Sequence, residues 1–417
     1  MSTTEFDYSE LFASNVPQPA ARWAGFPRYN FVGGHNDPDA IPLEGLAEAA
    51  AAVLHREGAL LATYGLGQGA LGYKGLREFI ARKSSSHRGI SATADDVLIT
   101  IGSMQGIDLV NKLLVEPGDT VIVESLSFHG ALGKLRKIGA TIVGAPIDEH
   151  GLRIDALETI LRDLKARGVR PKYIYTIPTI QNPTGSVLPL DRRHALIALA
   201  REYGVPIFED ECYADLLWVG NAPPALYALD PAQVIHIGSF SKSLAPSLRL
   251  GFAIAPWHVL GRLVALRSDG PGGLEQLVVA EYFSVYFDDH VQRLTRGLQA
   301  KLDTLTAALE REFGTAVEYH RPDGGIYLWL KLPDSVDVRK LIKPAAEAGV
   351  VFNPGPEWAV DPEAAASSLR LCFALPSHAD ISEGVAALAR VSAEQTGIPA
   401  RSANVATAIG KQTVPAE

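Results

Sequence analysis

Residues 239–251 read SFSKSLAPSLRLG, a polar loop with one lysine and one arginine. The loop follows the β-branched run Val234–Ile237 and leads into the apolar run Gly251–Ala255, so a predicted strand flanks it on each side. Side chains that follow a buried strand lie at its carboxyl end, where open parallel sheets bind their ligands. The loop therefore predicts a sheet, and it predicts a ligand-binding site at the edge where the strand Val234–Ile237 ends.

Similar apolar runs occur upstream, and helical patterns fill gaps between them. The seven predicted strands are Val97–Ile101, Thr120–Glu124, Thr141–Ala145, Tyr173–Ile177, Pro206–Glu209, Val234–Ile237 and Gly251–Ala255. Helical periodicity covers Gln105–Val115, Asp155–Arg167 and Asp191–Tyr203. Apolar strands separated by crossovers of about ten to thirty residues are typical of a mostly parallel sheet with helices on both faces. We predict an α/β fold with a mostly parallel seven-stranded sheet.

The pattern changes near residue 280, where an α+β region begins. Its predicted elements are a long amphipathic helix Leu294–Phe313, a strand Ile326–Leu332, a helix near Val338–Ala348 and a strand Ser368–Phe373. We predict four parts of the chain: an N-terminal segment 1–55 that contributes to a small domain, a large cofactor-binding domain 56–280, a small C-terminal domain 281–392, and a mobile tail 393–417.

The composition limits the classes of function. Of 417 residues, 47% are hydrophobic and 20% charged, as in soluble globular proteins, and the formal net charge of −9 argues against a nucleic-acid or membrane-surface binder. Two cysteines, Cys212 and Cys372, exclude a disulfide scaffold and a cysteine-rich zinc module. The N-terminus lacks the apolar core of a signal peptide, and charges interrupt every apolar run. We expect a cytoplasmic protein with no nucleic-acid, membrane or metal partner.

A glycine-rich segment, Gly67–Gly72, matches the GxGxxG pattern of dinucleotide sites. That fingerprint requires a preceding strand, whereas the lead-in Leu46–Leu61 is alanine-rich and helical in pattern. We therefore expect no nicotinamide cofactor here.

Candidate site residues, nearly all of them polar, follow four of the predicted strands. They are Ser103 and Met104 after the first strand, Asn182 after the fourth, Asp210 and Tyr213 after the fifth, and Ser239, Ser241, Lys242 and Arg249 after the sixth. Each alone has an ordinary explanation, such as a serine N-cap, a turn-forming asparagine or a surface lysine. Gathered at one edge of a sheet, they form a set that these separate explanations do not account for.

This set suits a phosphorylated aromatic aldehyde bound as a Schiff base. Lys242 supplies the amine nucleophile, and Asp210 holds a proton on a pyridinium nitrogen so that the ring withdraws electrons. Tyr213 and Asn182 hydrogen-bond the ring hydroxyl. The phosphate is held by the start of the helix that follows the first strand, at Ser103 and Met104, together with the side chains of Ser239, Ser241 and Arg249.

The chain resembles the class I/II aminotransferases among the fold-type-I pyridoxal-phosphate (PLP) enzymes. The matching motifs are NPTG at 182–185, EDECY at 209–213 and SFSKSLAPSLRLG at 239–251, with smaller matches at Gly324–Gly325, Asn353–Gly355 and Ser368–Ala374. The resemblance runs from about residue 30 to about residue 392 and is closest to the kynurenine/2-aminoadipate aminotransferase branch. It implies pyridoxal 5'-phosphate as cofactor and the PLP-dependent transferase fold type I.

The resemblance also assigns roles by position. Lys242 would form the Schiff base and shuttle the proton between the substrate Cα and the cofactor C4′ carbon, and Arg370 would bind the substrate α-carboxylate. Gly34 would lie near that carboxylate beside Asn182, and Phe128 would stack on the cofactor ring. Tyr64 would reach the cofactor phosphate of a partner subunit, which implies a homodimer with active sites at its interface.

Several residues depart from the family pattern or have more than one explanation. His35, where many relatives carry an apolar residue, could tune specificity or donate a proton over the substrate, or it could only hydrogen-bond its loop. Arg22 and Arg28 could reach an acidic substrate side chain or be surface charges, and His129 is equally open. Cys212 is expected to be a packing residue.

We predict an aminotransferase that moves the α-amino group of an L-amino acid to a 2-oxo acid, with 2-oxoglutarate as the expected acceptor, in ping-pong fashion. The alternative is a PLP-dependent lyase, cyclase or oxidase with the same cofactor site, since pocket residues such as His35 would decide the outcome. A ligand-sensing DNA-binding regulator is disfavoured, because fewer than about thirty residues precede the matched region. The motifs do not indicate which amino acid is the donor.

Overall fold

The seven predicted strands pair into one sheet in the computed structural model, which describes residues 6–14 and 16–399. The described strands are β1 Tyr29–Asn30, β2 Val97–Ile101, β3 Thr120–Glu124, β4 Thr141–Ala145, β5 Ile147–Asp148, β6 Gly151–Leu152, β7 Ile174–Thr176, β8 Ile207–Asp210, β9 Val234–Ser239, β10 Leu250–Ile254, β11 Tyr327–Lys331, β12 Val350–Val351, β13 Asn353–Pro354 and β14 Ser368–Cys372.

Helices cover both faces of this sheet. They are α1 Leu43–Glu57, α2 Lys74–Arg88, α3 Gly102–Leu114, α4 His129–Ile138, α5 Ile154–Ala166, α6 Leu190–Tyr203, α7 Leu226–Leu229, α8 Trp257–Leu266, α9 Gly273–Phe313, α10 Ile342–Glu347 and α11 His378–Thr396. Short 3-10 turns include Tyr64–Gly67, Pro246–Leu248, Val338–Leu341 and Gly355–Trp358. Among the described helices, none has both the length and the apolar character that crossing a bilayer requires.

The strand order of the large sheet is β2-β10-β9-β8-β7-β3-β4. β10 is antiparallel to both of its neighbours, while β9, β8, β7, β3 and β4 pair in parallel. The start of β10 therefore lies at the edge where the other strands end, and Arg249, one residue before β10, reaches that edge. The predicted mostly parallel α/β sheet is confirmed.

Alternation along the strands builds two apolar cores, one on each face of the sheet. On β3, Val121 and Val123 pack into one cluster and Ile122 into the other, because successive strand residues point to opposite faces. Each such side chain is fully buried and contributes about 1.5–3 kcal/mol relative to leaving it exposed. The two cores make the sheet a rigid base for the residues at its carboxyl edge.

A second, smaller layer lies beyond the large sheet. β11, β14 and β13 form an antiparallel sheet, and β1 pairs in parallel with β12. Within the predicted N-terminal segment 1–55, Tyr29–Asn30 joins this layer as β1, whereas α1 packs Ala49 and Val53 into the core of the large sheet.

The long helix α9 is common to both layers, so the predicted boundary near residue 280 falls inside it. The sequence pattern indicated a helix only from Leu294, whereas α9 begins at Gly273. Within the missed part, 273–293, residues 277–287 are apolar at nearly every position and show little of the periodicity that marks an amphipathic helix.

The predicted tail 393–417 begins inside a helix. α11 continues to Thr396 and ends at Gly397, whose φ of 75° suits a glycine C-cap. Positions 400–417 of that prediction lie outside the described residues.

The glycine-rich segment 67–72 lies between the Tyr64–Gly67 turn and α2. It follows helical structure, with α1 and the turn Gly58–Ala62 before it, and so lacks the strand that a dinucleotide site requires.

Candidate active site

A cavity of about 230 Å³ opens at the carboxyl edge of the large sheet, and it brings together most of the residues that the sequence singled out. The predicted residues that line it are Gly34, Ser103, Met104, Phe128, Asn182, Asp210, Tyr213, Ser239, Ser241, Lys242, Arg249 and Arg370. Other lining residues include Gly33, His129, Ile177, Cys212, Tyr327, Asn353 and Trp358. Tyr64 and His35 are not among the residues that line the cavity.

Three consecutive acids end β8 and begin the following loop, and all three are buried. Glu209 bonds the His236 ring at 2.8 Å and accepts the first backbone N–H of α7. Glu211 pairs with the buried Arg88 guanidinium at 2.6 Å. Both outer acids therefore have a cation or a hydrogen-bonding ring beside them.

Asp210, the middle acid, has only neutral partners within the described part of the chain. Its carboxylate accepts the Tyr175 hydroxyl at 2.7 Å and the Cys212 backbone N–H at 3.2 Å. Its side chain faces the cavity at 3% exposure, and burial raises the pKa of Asp210. A buried carboxylate is costly without a facing cation, so this site fits a ligand that presents a protonated ring nitrogen.

Burial raises the pKa of the Cys212 thiol well above its usual range. The thiol is therefore neutral, which agrees with the expected packing role rather than with a nucleophile.

Lys242 lies in the loop after β9, and its Nζ donates to the Gly34 carbonyl oxygen at 2.5 Å. Two buried side chains fix the backbone that follows it. The His290 ring bonds the Ser243 carbonyl at 2.7 Å, and the Asn36 amide donates to the Leu244 carbonyl at 2.9 Å. Asn36 and His290 thus anchor the lysine loop.

Gly34 must be a glycine for this approach. A Cβ at that position would collide with the Lys242 Nζ and with the Tyr327 hydroxyl. The absence of a side chain lets the 33–36 segment cover the lysine directly.

The N-terminus of α3 forms one end of the cavity. Gly102 begins the helix with a φ of 64°, and Gly251 of β10 packs against it so closely that a Cβ would lie 2.6 Å from the Gly102 carbonyl carbon and 2.7 Å from the Ser103 nitrogen. Free N–H groups at a helix N-terminus favour an anion, so the two glycines leave a backbone cradle that suits a phosphate.

Cationic and hydroxyl groups complete that cradle. The Arg249 guanidinium lies beside Gly102, where a Cβ would meet its Nη2 at 2.7 Å. Ser239 accepts the Ser241 backbone N–H at 3.1 Å, which fixes the turn that presents both hydroxyl side chains at the cavity. An arginine and serines beside a helix N-terminus are the groups that phosphates bind in proteins.

Arg370 comes from β14 of the small sheet and is 2% exposed. Its Nη1 donates to Asn182 Oδ1 at 2.9 Å, and its Nη2 donates to Asn353 Oδ1 at 2.7 Å and to the Gly33 carbonyl at 2.9 Å. Its buried Nε has no partner among the described residues. The guanidinium is therefore fixed in direction and keeps donor capacity for a carboxylate.

Two aromatic rings enclose this guanidinium. Its Cζ lies 3.7 Å from the ring centroids of both Tyr327 and Trp358. Sequence reasoning did not single out either ring. The Gly324–Gly325 pair before an aromatic strand was a signal for Tyr327, whereas Trp358 follows the Asn353–Gly355 match with no motif of its own.

Asn182 and Tyr213 connect the arginine to the rest of the site. The Asn182 amide donates to the Tyr213 hydroxyl at 3.0 Å, and that hydroxyl lies 3.4 Å from the Tyr327 hydroxyl. Burial raises the pKa of Tyr213 well above its usual range. The phenol is therefore neutral and can donate to a ligand oxygen.

Phe128 and His129 line the side of the cavity near Trp358. The Phe128 ring centroid lies 6.2 Å from that of Trp358, and the His129 centroid lies 4.8 Å from it. Burial and the nearby Arg370 charge lower the pKa of His129. This wall of the cavity is aromatic and carries no histidine charge near neutral pH.

Three other residues that the sequence singled out, His35, Arg28 and Tyr64, lie outside the cavity lining. His35 packs its ring against Phe26 at 5.2 Å between centroids, and burial and the Lys242 charge lower the pKa of His35, so its ring is neutral near pH 7. Arg28 pairs with Glu383 at 3.0 Å on the surface, which supports a surface charge. Tyr64 is fully exposed.

The residues present fit pyridoxal phosphate. An amine, a buried acid that lacks a cation, and an anion cradle line one cavity whose wall includes an aromatic ring. Those are the groups that an aldehyde, a pyridinium nitrogen and a phosphate require.

Comparison with known proteins gives consistent matches. The family model for aminotransferase class I and II matches residues 34–388. The chain is 34% identical over 368 residues to the 2-aminoadipate transaminase of Thermus thermophilus, covering 87% of this chain and 89% of that protein. It is 29% identical over 371 residues to aromatic-amino-acid aminotransferase 1 of Thermococcus litoralis, covering 88% of each.

A solved structure gives the same result for the fold. The crystal structure of an alpha-aminoadipate aminotransferase from Thermus thermophilus, complexed with N-(5'-phosphopyridoxyl)-L-leucine, superposes with a TM-score of 0.81 at 33% identity. The match covers 88% of this chain and 93% of that chain.

Proposed function

This chain belongs to the aminotransferase class I and II family, and we propose that it moves the α-amino group of an L-amino acid to a 2-oxo acid, with 2-oxoglutarate as acceptor, by a ping-pong sequence. It is a PLP-dependent aminotransferase of fold type I, as the sequence predicted. One observation carries the proposal: Lys242, Asp210 and Arg370, from three different elements, line a single cavity.

The cofactor, when bound, supplies an aldehyde that takes up the amino group and a pyridinium ring that withdraws electrons from the bond being broken. Asp210 holds the proton on the ring nitrogen. This role is supported by the burial of the Asp210 carboxylate, which has no cationic partner among the described residues. The ring proton in turn compensates the carboxylate.

Lys242 acts as the base and acid of the reaction. With the cofactor bound, its amine would take the proton from the substrate Cα and would deliver it to the cofactor carbon that carries the amino group. The hydrogen bond to the Gly34 carbonyl and the anchored backbone at Ser243 and Leu244 support this role, because they hold the amine at one place in the cavity.

Arg370 binds the substrate α-carboxylate. Its guanidinium is already desolvated and hydrogen-bonded, so little reorganisation is needed when the carboxylate arrives. A guanidinium fork fixes the direction of the carboxylate, which decides which Cα bond faces the lysine. Asn182 joins this fork to the Tyr213 phenol on the cofactor side.

The remaining predicted residues would hold the cofactor. Ser103, Met104, Ser239, Ser241 and Arg249 would bind the phosphate, and Phe128 would stack on the ring. The α3 N-terminus, kept open by Gly102 and Gly251, supports the phosphate position.

The active enzyme is a homodimer in this proposal. Tyr64 is fully exposed and does not line its own cavity, and reaching a second subunit's phosphate would give its ring a partner. The cytoplasmic location expected from the sequence stays a prediction.

The experiment is a half-reaction followed by absorption spectroscopy. Purified holoenzyme is mixed with one L-amino acid at a time and no acceptor, with 2-aminoadipate, phenylalanine, leucine and kynurenine as the first donors. We expect the cofactor's absorption band to disappear with a good donor and to return when 2-oxoglutarate is added. Release of ammonia without any acceptor would overturn the proposal and favour the lyase, cyclase or oxidase alternative.

Lys242→Ala is the control for this assay. The variant should show no band change with any donor, and borohydride should no longer attach the cofactor covalently to the chain, as mass spectrometry would show. Retained turnover in Lys242→Ala would remove the lysine from its role.

A further inference from the structure

Glu124 is a buried acid for which the reaction has no use. It ends β3 at 1% exposure and does not line the cavity. Its carboxylate accepts the Thr176 hydroxyl at 2.6 Å, the Ile177 backbone N–H at 3.3 Å and the Gln181 side-chain amide at 3.0 Å. All three groups belong to β7 and to the loop that follows it.

Gln181 fixes that loop from within. Its Nε2 donates to Glu124 and to the Leu126 carbonyl at 2.7 Å, and its Oε1 accepts both the backbone N–H and the hydroxyl of Thr184, at 2.9 and 2.8 Å. Both donors and the carbonyl of this amide are used. The amide therefore has one orientation, because a flip would place donors against donors.

Asn182 directly follows this fixed residue. Its side chain accepts from the Arg370 guanidinium and donates to the Tyr213 hydroxyl. A single rotation of the Asn182 side chain or a shift of its backbone would break both contacts. The direction of the guanidinium in the cavity thus depends on the position of the loop at 181–184.

We propose that Glu124 and Gln181 form a positioning pair that holds Asn182 between Arg370 and Tyr213 and thereby sets the affinity of the site for the substrate carboxylate. This inference rests on the proposed role of Arg370 as the carboxylate-binding residue. Glu124 and Gln181 touch neither substrate nor cofactor; they act through Asn182.

Two variants weaken the pair in different ways. Glu124→Gln keeps the size but replaces one acceptor oxygen with an amide N–H₂, which faces the Ile177 backbone N–H in either orientation of the amide. Gln181→Met keeps the length of the side chain and removes all of its hydrogen bonds. If Glu124→Gln does not fold, Gln181→Met carries the test alone.

The matched control is Tyr173→Phe. Tyr173 lies one residue before β7, is buried, and donates to Asn111 Oδ1 on α3 at 2.5 Å. Its loss removes a buried hydrogen bond next to the same strand but leaves Asn182 and its partners in place.

The measurement is the dissociation constant of glutarate for each holoenzyme by titration calorimetry. Glutarate has the carboxylates of 2-oxoglutarate but no group that can react. We expect binding weaker by about tenfold in Glu124→Gln and in Gln181→Met, and within about twofold of wild type in Tyr173→Phe. In turnover the KM for the donor should rise while kcat changes by less than about threefold.

The outcomes separate this inference from the proposed function. If wild type binds glutarate, Arg370→Lys loses it, and both pair variants bind like wild type, the positioning pair is wrong and the role of Arg370 stands. If Arg370→Lys binds glutarate as tightly as wild type does, the role of Arg370 fails and the inference fails with it. A loss in Tyr173→Phe equal to that in the pair variants would also overturn the inference, because general destabilisation would explain all three.

Discussion

Asp210 differs from the acids on either side of it in what faces its charge. Glu209 has a histidine and a helix N-terminus, Glu211 has an arginine, and Asp210 has a phenol and a backbone N–H. Three adjacent carboxylates thus divide into two that stabilise the fold and one that is left for a ligand. The difference comes from neighbours on β7, β9 and α2, which the local sequence EDE does not reveal.

Asp210→Asn should slow the half-reaction with a good donor by at least about 100-fold. The amide cannot hold the ring proton as a carboxylate does, so the ring withdraws electrons less well. Stopped-flow absorption with saturating donor measures the rate. Tyr175→Phe, which removes one hydrogen bond to the same carboxylate, should cost less than about tenfold. Equal rates in Asp210→Asn and wild type would exclude this role.

The pH dependence of stability should report the burial of Glu124. Burial raises the pKa of Glu124 from its ordinary 4.5 to about 7, against the opposing effect of its hydrogen-bond donors. As pH rises from about 4.5 through about 7, the unfolded chain ionises freely and the folded protein must ionise a buried group. The free energy of unfolding of wild type should therefore fall relative to that of Glu124→Gln, by at most about 3 kcal/mol.

Denaturant titrations of both proteins at several pH values measure this difference. Glu158→Gln, which changes an exposed acid on α5, should show no such trend relative to wild type. A wild-type stability that stays constant relative to Glu124→Gln across this range would show that Glu124 ionises as easily folded as unfolded.

At the scale of elements, the strands were the most predictable part. β2, β3 and β4 have the predicted limits, and the other four strands of the large sheet differ by one or two residues at their ends. Each is a short apolar run between polar loops, so its limits are visible in the sequence. The reversed direction of β10 was not visible in the sequence, because the direction of a strand depends on its pairing partners and not on the local pattern.

The small sheet shows where local patterns are insufficient. The helix expected near Val338–Ala348 divides into a 3-10 turn, Val338–Leu341, and α10, Ile342–Glu347. Pro344 is the physical reason, because its ring nitrogen cannot donate to the preceding turn. Arg370 came from the family resemblance, and its aromatic enclosure depends on contacts between the small sheet and the Gly355–Trp358 turn that no local pattern encodes.

The packing of β10 against α3 predicts a specific effect of adding one methyl group. Gly251→Ala would place a Cβ 2.6 Å from the Gly102 backbone, so the start of α3 must move. The cradle for the phosphate would move with it, and we expect PLP affinity to fall by about tenfold or more. Equilibrium dialysis of PLP against the cofactor-free protein measures the change.

Gly297→Ala is the matched control. Gly297 lies in the middle of α9, where a Cβ would meet nothing within 4 Å. The substitution should leave PLP affinity unchanged and stabilise the protein by about 0.5–1 kcal/mol, because alanine favours a helix over glycine. Unchanged PLP binding in Gly251→Ala would mean that the α3 N-terminus does not hold the phosphate.

For the whole molecule, the exposed Tyr64 predicts dependence on a second copy of the chain. Light scattering with size-exclusion chromatography should give twice the mass of one chain for the holoenzyme. Tyr64→Phe should keep that mass and release PLP faster, because only the hydroxyl that reaches the partner's phosphate is lost. A fully active monomer, or a Tyr64→Phe variant that retains PLP like wild type, would contradict the shared site.

The helix α9 has a mechanical consequence for this molecule. Its first half, Leu277–Phe287, packs in one core and its second half, Leu294–Phe313, in the other. Between them His290 is bonded to the backbone beside Lys242. The helix is thus held next to the catalytic amine by this hydrogen bond, and about 35 Å of helix extends from His290 towards the small sheet. A tilt of α9 by about 5° about His290 would displace the helix end at Phe313 by about 3 Å and leave Lys242 almost stationary. The part of α9 that packs in the core below the small sheet can therefore move while the amine that transfers the proton stays in place.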